Sequence, residues 1–313
     1  MNALLFPGQG SQAVGMGLEF YKNFEIVKKI FKEADERLGF SISKIILEGP
    51  ADHLQLTKNT QPAILTVSYS IYKVLREEFN FDEKLKYFAG HSLGEYSALV
   101  SSEALNFGDA LYLLHERGKA MQEAVPLGNG SMIAVLGLGT NEVIDFLKKN
   151  LNDGVCEIAN DNADGQIIVS GDKKSVDIFS ENLKINKIKF IPLKVSAPFH
   201  CSLMKPAAIT MEKKIEKVVF KNSKYKIISN VTAKEEDDTK RIKKLLVKQI
   251  FSTVKWRESI IYISNAGVDK FIEIGPGKAL IGMVKRTIKD KRANCFSINS
   301  IADIKNLINE LKK

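Results

Sequence analysis

The most constraining stretch of this 313-residue chain is Gly90-His91-Ser92-Leu93-Gly94. A short apolar run, Tyr87–Ala89, leads into it, and residues 93–102 continue with a helical pattern. Strand, tight turn and helix in so few residues predict a sharp elbow with the serine at its tip. Glycine on each side lets the strand and helix approach closely. The hydroxyl is then exposed, and the helix N-terminus beneath it favours developing negative charge. The backbone N–H of Leu93 is placed to donate to an oxyanion. Taken alone, the five residues also fit a tight turn with an incidental serine.

The surroundings of the elbow favour a mostly parallel sheet. Ala3–Phe6 reads as a buried strand, residues 17–38 as a helix, and 61–79 as a helix opened by Gln61-Pro62. A helix over 107–124 follows. Strand–helix alternation of this kind predicts an α/β fold. Between Leu127 and Ser196 the texture changes. Strands at 131–138, 155–159, 166–170 and 188–195, with helices at 141–150 and 173–183, give the order βαββαβ, a ferredoxin-like motif. Gly128-Asn129-Gly130 and Ser196-Ala197-Pro198 flank it as boundary signals. The expected organisation is a catalytic α/β domain, hydrolase-like, formed by 1–127 and 197–313, with a small ferredoxin-like domain inserted at 128–196. Strands at 225–231, 270–274 and 295–298 and helices at 241–251 and 302–312 complete the larger part.

Composition narrows the function classes. The net charge is +9, but arginines number only seven and the lysines are scattered, with no nucleic-acid motif. A lysine-rich surface that attracts an acidic partner fits better. Three separated cysteines, Cys156, Cys201 and Cys295, predict neither a disulfide framework nor a zinc knuckle, and fit a reducing cytosol. No 18-residue apolar run and no signal-peptide pattern is present, so neither membrane insertion nor export is expected.

A serine nucleophile needs a base. His91 adjoins Ser92, and its side chain is expected to turn away. His53 falls in a polar loop and His115 in a helix, where packing is the default. His200 ends a strand at the edge of the small domain, bordering a cleft, where sites usually lie. From the residues alone it is either the base or a structural histidine. Arg117 sits in an otherwise apolar helix, so it either snorkels to the surface or clamps a substrate carboxylate. Gly8-Gln9-Gly10-Ser11-Gln12-Ala13 mimics a dinucleotide fingerprint, but the second strand and acid that such a site needs are replaced by a helical stretch. The loop is better read as bringing the Gln9 backbone toward the site as a second oxyanion donor.

Six blocks together resemble the malonyl-CoA:acyl carrier protein transacylases. They are Phe6–Gln12, Gly90–Tyr96, Arg117–Gln122, Ala197–Ala207, Gln249 before Val254-Lys255-Trp256, and Glu273–Lys278. The resemblance implies Ser92 as the acyl-accepting nucleophile, His200 as its base, and the backbone N–H groups of Gln9 and Leu93 as the oxyanion hole. It implies Arg117 as the clamp for the malonyl carboxylate and the Gln249 carbonyl as the group that orients His200. Asn160, Phe199 and Met121 would line the cleft, and Phe199 would narrow it against an α-methyl branch. Where the family usually has a proline near position 164, this chain has Asp164-Gly165. The implied chemistry is ping-pong acyl transfer from a CoA thioester, with no metal and no bound cofactor. The implied setting is a cytoplasmic monomer serving fatty-acid synthesis and meeting an acidic carrier. A GxSxG hydrolase and a carrier-binding scaffold with a dead site are the competing classes. More than a hundred residues of further α/β pattern after His200 tell against the first, whose histidine comes near the C-terminus, and the joint presence of Ser92, His200 and Arg117 tells against the second.

Overall fold

The computed structural model describes residues 1–81, 84–151, 153–289 and 293–311. Its ten strands are β1 (Asn2–Phe6), β2 (Leu85–Gly90), β3 (Gly130–Leu136), β4 (Cys156–Ala163), β5 (Gln166–Asp172), β6 (Phe190–Pro192), β7 (Lys226–Ile228), β8 (Glu235–Glu236), β9 (Lys270–Ile274) and β10 (Asn294–Ile298). Six form one sheet in the order β10-β9-β1-β2-β7-β8, in which only the short β8 runs antiparallel. β1 is buried along its whole length because both faces of the sheet are covered. Leu4 and Phe6 enter one apolar core, and Ala3 and Leu5 enter another on the opposite face. That is why β1 reads as a continuous apolar run rather than an alternation.

The other four strands form an antiparallel sheet, β4-β5-β3-β6. Along β3 the side chains alternate between two destinations. Ile133 and Val135 pack with Val143, Val176 and Phe179 from the helices Thr140–Asn150 and Lys173–Ile185. Met132 and Ala134 belong to the main core. The small sheet is thus covered by its own helices on one face and by the larger part of the molecule on the other. The small sheet is stitched to the larger part of the molecule at β4, through the segment between the helices Thr239–Gln249 and Trp256–Asn265. Asp161 N donates to Val254 O at 3.0 Å, and Val254 N donates to Ala159 O at 2.8 Å. Arg257 grips the buried Asp161 carboxylate through Nε at 2.9 Å and Nη2 at 2.8 Å.

Several elements differ from the sequence expectation. The helix expected over 17–38 is two helices, Leu18–Asn23 and Glu25–Leu38, broken at an extended Phe24. The Asn23 side chain closes the first by donating to Glu19 O at 2.7 Å. The helix expected from Gln61 begins at Thr57, runs to Lys73 and ends in a π turn at Val74–Glu78, with Pro62 inside it. Proline has no N–H for the carbonyl four residues back. That carbonyl, Lys58 O, accepts instead from His115 Nδ1 at 2.9 Å. His53 lies on a short helix, Ala51–Gln55, rather than in a loop. The strand expected over 188–195 pairs only at Phe190–Pro192, after which Leu193, Lys194 and Val195 run along the cleft. The 302–312 helix is found as Ile301–Leu311, and its last expected residue, 312, lies outside the described residues.

One close approach sets the site. A Cβ on Gly118 would lie 2.5 Å from Lys58 Cα, so only glycine lets the helix Phe107–Glu123 touch the helix Thr57–Lys73 here. The contact brings Arg117 beside Gln61.

Candidate active site

The elbow is built as a true strained turn. Ser92 has φ 54°, in the left-handed region, at a cost of about 1–3 kcal/mol. A Cβ on Gly90 would sit 1.8 Å from Gly94 O, and one on Gly94 would sit 2.3 Å from Phe6 O. Both glycines are therefore obligatory. His91 N extends the β1 pairing by donating to Phe6 O at 3.0 Å. The helix Gly94–Ser101 then begins directly below.

The elbow opens into a cleft of about 460 Å³ between the two sheets. Gln9, Ser92, Leu93, Arg117, Met121, Asn160, Phe199 and His200 all line it, so those sequence-derived candidates meet in one place. Gln249 is fully buried behind it. Ser92 Oγ lies 2.7 Å from His200 Nε2, and His200 Nδ1 lies 2.8 Å from Gln249 O. A carbonyl can only accept, so Nδ1 carries the proton and Nε2 is free to accept from the serine. Burial, then the positive charge of Arg117, depresses the His200 pKa to about 3. The imidazole is therefore neutral and able to take a proton at neutral pH. The N–H groups of Gln9 and Leu93 have no acceptor among the described residues. The Cys201 thiol is no rival nucleophile, because burial raises its pKa to about 11.

Arg117 is 1 % exposed and rests on neutral oxygens. Nη1 donates to Gln61 Oε1 at 2.6 Å, and Nη2 donates to Gln249 Oε1 at 2.8 Å and to Ser92 Oγ at 3.2 Å. The guanidinium also lies 5.9 Å from the Tyr96 ring centroid. Its Nε has no partner, and no carboxylate comes within ion-pair distance of Arg117 among the described residues. A buried cation so held has an unmet need for an anion in the cleft.

The structure closes one open alternative and changes one reading. Arg117 does not snorkel. His91 does not turn out of the site: its ring lines the cleft, with Nε2 2.8 Å from Asn162 Oδ1, and packs edgewise on Trp256 at 5.6 Å. Burial lowers its pKa. Asn162 thus has a defined partner although the family's proline is missing nearby.

Three residues around the site carry no distinct signal in the sequence. Gln61 reads only as a helix start. Glu95 reads only as part of a motif, yet its carboxylate is 2 % exposed and accepts from Gln249 Nε2 at 2.7 Å and Asn230 N at 3.1 Å. Burial raises its pKa to about 7 against the pull of these donors and Arg117. Asn230 receives Ser92 N on Oδ1 at 2.7 Å and donates Nδ2 to Gly90 O at 2.7 Å. No local pattern marks Asn230, which reaches the elbow across 138 residues of chain.

No cluster of three metal-binding side chains occurs among the described residues, and no helix among them is long and apolar enough to cross a membrane. Comparison with known proteins agrees with the geometry. A family profile described as an acyl transferase domain matches residues 3–308. The chain is 42% identical over 313 residues to a malonyl CoA-acyl carrier protein transacylase of Bacillus subtilis, covering 99% of this chain and 97% of that protein. It is 38% identical over 296 residues to the Escherichia coli protein of the same name, covering 94% and 95%. Among solved structures, an acyl-carrier-protein-S-malonyltransferase from Bartonella henselae superposes with a TM-score of 0.95 at 40% identity, covering 100% of this chain and 99% of that one. A malonyl-transacylase solved in complex with its type II PKS acyl-carrier protein gives a TM-score of 0.94 at 35% identity, covering 99% of each.

Proposed function

This chain belongs to the acyl transferase family, and from that premise we propose that it carries malonyl groups from malonyl-CoA to acyl carrier protein through Ser92. The observation that carries the reading is the double contact on one hydroxyl: Ser92 Oγ lies 2.7 Å from a neutral imidazole and 3.2 Å from a buried guanidinium. The first activates a nucleophile. The second offers a seat for a carboxylate beside the reacting carbonyl.

In the first half-reaction, Ser92 Oγ attacks the thioester carbonyl and its proton passes to His200 Nε2. The Gln249 carbonyl holds the other ring N–H, so the imidazolium forms without turning. Although burial disfavours that cation at rest, the growing oxyanion stabilises it, and the amides of Gln9 and Leu93 are free to receive the oxyanion. The intermediate collapses with CoA leaving as the thiol, protonated by His200. Malonyl-Ser92 remains. The phosphopantetheine thiol of the carrier then gives its proton to His200 and attacks the ester carbonyl, and Ser92 leaves reprotonated. Arg117 pairs with the malonyl carboxylate throughout. Phe199 and Met121 shape the acyl pocket, and Asn160 lines its small-sheet side. The steps need no metal or redox cofactor. We also assign 1–127 with 197–313 as the catalytic unit and 128–196 as the inserted unit that closes the cleft. The protein acts as a cytoplasmic monomer on an acidic, transient carrier.

The test is intact mass after mixing with malonyl-CoA. One malonyl group should map to Ser92, Ser92→Ala should gain none, and added carrier should remove it faster than water does. An adduct on Cys201 or on another serine would overturn the assignment.

A further inference from the structure

A serine at φ 54° does not hold its position unaided, and the groups that hold it are part of how it works. The backbone pairing of β2 with β7 ends at Ala89 and Ile228, one residue short of the elbow. We propose that Asn230 is a positioning residue that continues this ladder with its side-chain amide and so holds Ser92 against His200. The proposal rests on the reading of Ser92 as the nucleophile.

In a parallel ladder, one residue donates its N–H to the carbonyl before its partner and accepts from the N–H after it. Asn230 does this with its side chain. Nδ2 donates to Gly90 O at 2.7 Å, and Oδ1 accepts from Ser92 N at 2.7 Å. The two contacts flank His91 as a backbone peptide unit would. They also fix which end of the amide is oxygen, because the Ser92 amide can only donate and the Gly90 carbonyl can only accept. A main-chain strand would follow the straight course of β2, whereas the turned-out Ser92 amide is within reach of a side chain.

The amide is itself immobilised. Asn230 is fully buried, its main-chain N donates to Glu95 Oε2 at 3.1 Å, and Oδ1 also receives Gln249 Nε2 at 3.3 Å. Gln249 Nε2 donates to Ser92 O at 3.0 Å, so the nucleophile is held at both its N–H and its C=O. The backbone carbonyl of that same glutamine orients His200. Asn230 and Gln249 therefore tie the position of the serine to the position of its base. Asn230 makes no hydrogen bond to the serine hydroxyl or the imidazole, which makes it a positioning rather than a catalytic residue.

Without Asn230 the elbow loses its bonds at Gly90 O and Ser92 N, leaving the nucleophile held only at its C=O, and displacement of the reacting atom by about 1 Å costs on the order of a hundredfold in rate. The test is rapid-mixing acylation by malonyl-CoA and acetyl-CoA, with the acylated fraction counted by intact mass. In Asn230→Ala the saturating acylation rate should fall roughly a hundredfold for both acyl groups, with the half-saturating concentration little changed and the acylable fraction near that of wild type. Asn230→Asp is isosteric and keeps the acceptor for Ser92 N but, when ionised, has no donor for Gly90 O. It should lose roughly tenfold in the same rate, and it carries the test if the alanine variant does not fold. Rates within twofold of wild type in the folded variants would overturn the proposal. So would a loss confined to the acylable fraction, which marks a folding role, or a loss confined to malonyl, which would place Asn230 with the Arg117 seat. Failure of the underlying reading looks different, because wild type itself would then carry no adduct on Ser92.

Discussion

Replacing Arg117 with alanine should convert the site from one that prefers malonyl to one that barely distinguishes it from acetyl. Ser92, His200 and the two free amides act on the thioester, which both acyl groups share. The malonyl carboxylate alone must enter the cleft as an anion. In the present arrangement it meets a guanidinium that rests on Gln61 Oε1, Gln249 Oε1 and the Tyr96 ring, with no carboxylate already paired to it among the described residues. Removing one partner of a buried ion pair costs about 3–5 kcal/mol, a loss of between about a hundredfold and a few thousandfold in malonyl kcat/KM. Acetyl loses only the Nη2 contact to Ser92 Oγ, which at 3.2 Å is a long hydrogen bond from a charged donor, worth about 1.5 kcal/mol at the low end of its range and thus about tenfold. Arg117→Lys should recover little, because a point charge cannot serve both glutamines and a carboxylate at once. The assay is kcat/KM for malonyl-CoA and acetyl-CoA on wild type and both variants. Equal losses for the two acyl groups would refute the reasoning and make Arg117 a structural residue.

The kcat/KM for acylation by malonyl-CoA, which reports the free enzyme, should stay nearly level from pH 8 to pH 5, because a His200 pKa near 3 leaves the base form intact. A histidine at its ordinary value would keep only about 3 % of its base form at pH 5, so a fall of that size would count against the buried neutral imidazole. Glu95, raised to about 7, titrates within this range, and any shallow inflection near pH 7 should disappear in Glu95→Gln. Gly94→Ala should destabilise the fold by at least about 2–3 kcal/mol in urea unfolding, since the added methyl must displace the Phe6 carbonyl. Transfer to acyl carrier protein should weaken as salt rises while acylation by malonyl-CoA changes less, if the +9 chain meets the acidic carrier proposed above. Equal salt response of the two half-reactions would argue against electrostatic docking.

Local pattern was informative wherever a neighbouring residue imposes the constraint. The Gly-x-Ser-x-Gly spacing implied the elbow because Gly90 must pass Gly94 O within the same five residues, whereas the oxygen that excludes a side chain at Gly94 belongs to Phe6 on another strand. The βαββαβ order of 128–196 was legible from short-range periodicity, and its strands do pair as one antiparallel sheet. Periodicity was less reliable at ends and interruptions. It missed the break at Phe24 and the passage of a helix through Pro62, where a histidine 53 residues further on takes the carbonyl that proline leaves free. The resemblance named Ser92, His200, Arg117 and Gln249, but the contacts between them needed the tertiary structure.

By itself, the sequence determined which residue types are available for chemistry and which stretches must turn, pair or coil, because those demands act over a few residues. Tertiary structure decided the rest. It set the His200 proton on Nδ1 by placing the Gln249 carbonyl there, and it depressed the His200 pKa by burying the ring near Arg117. It swung His91 across the cleft to Asn162. It also brought Asn230 and Glu95 beneath the elbow. The physical reason is that charge state, tautomer and strain depend on burial and on distance in space, and residues separated by about 50 to 160 positions in the chain meet here within hydrogen-bonding range.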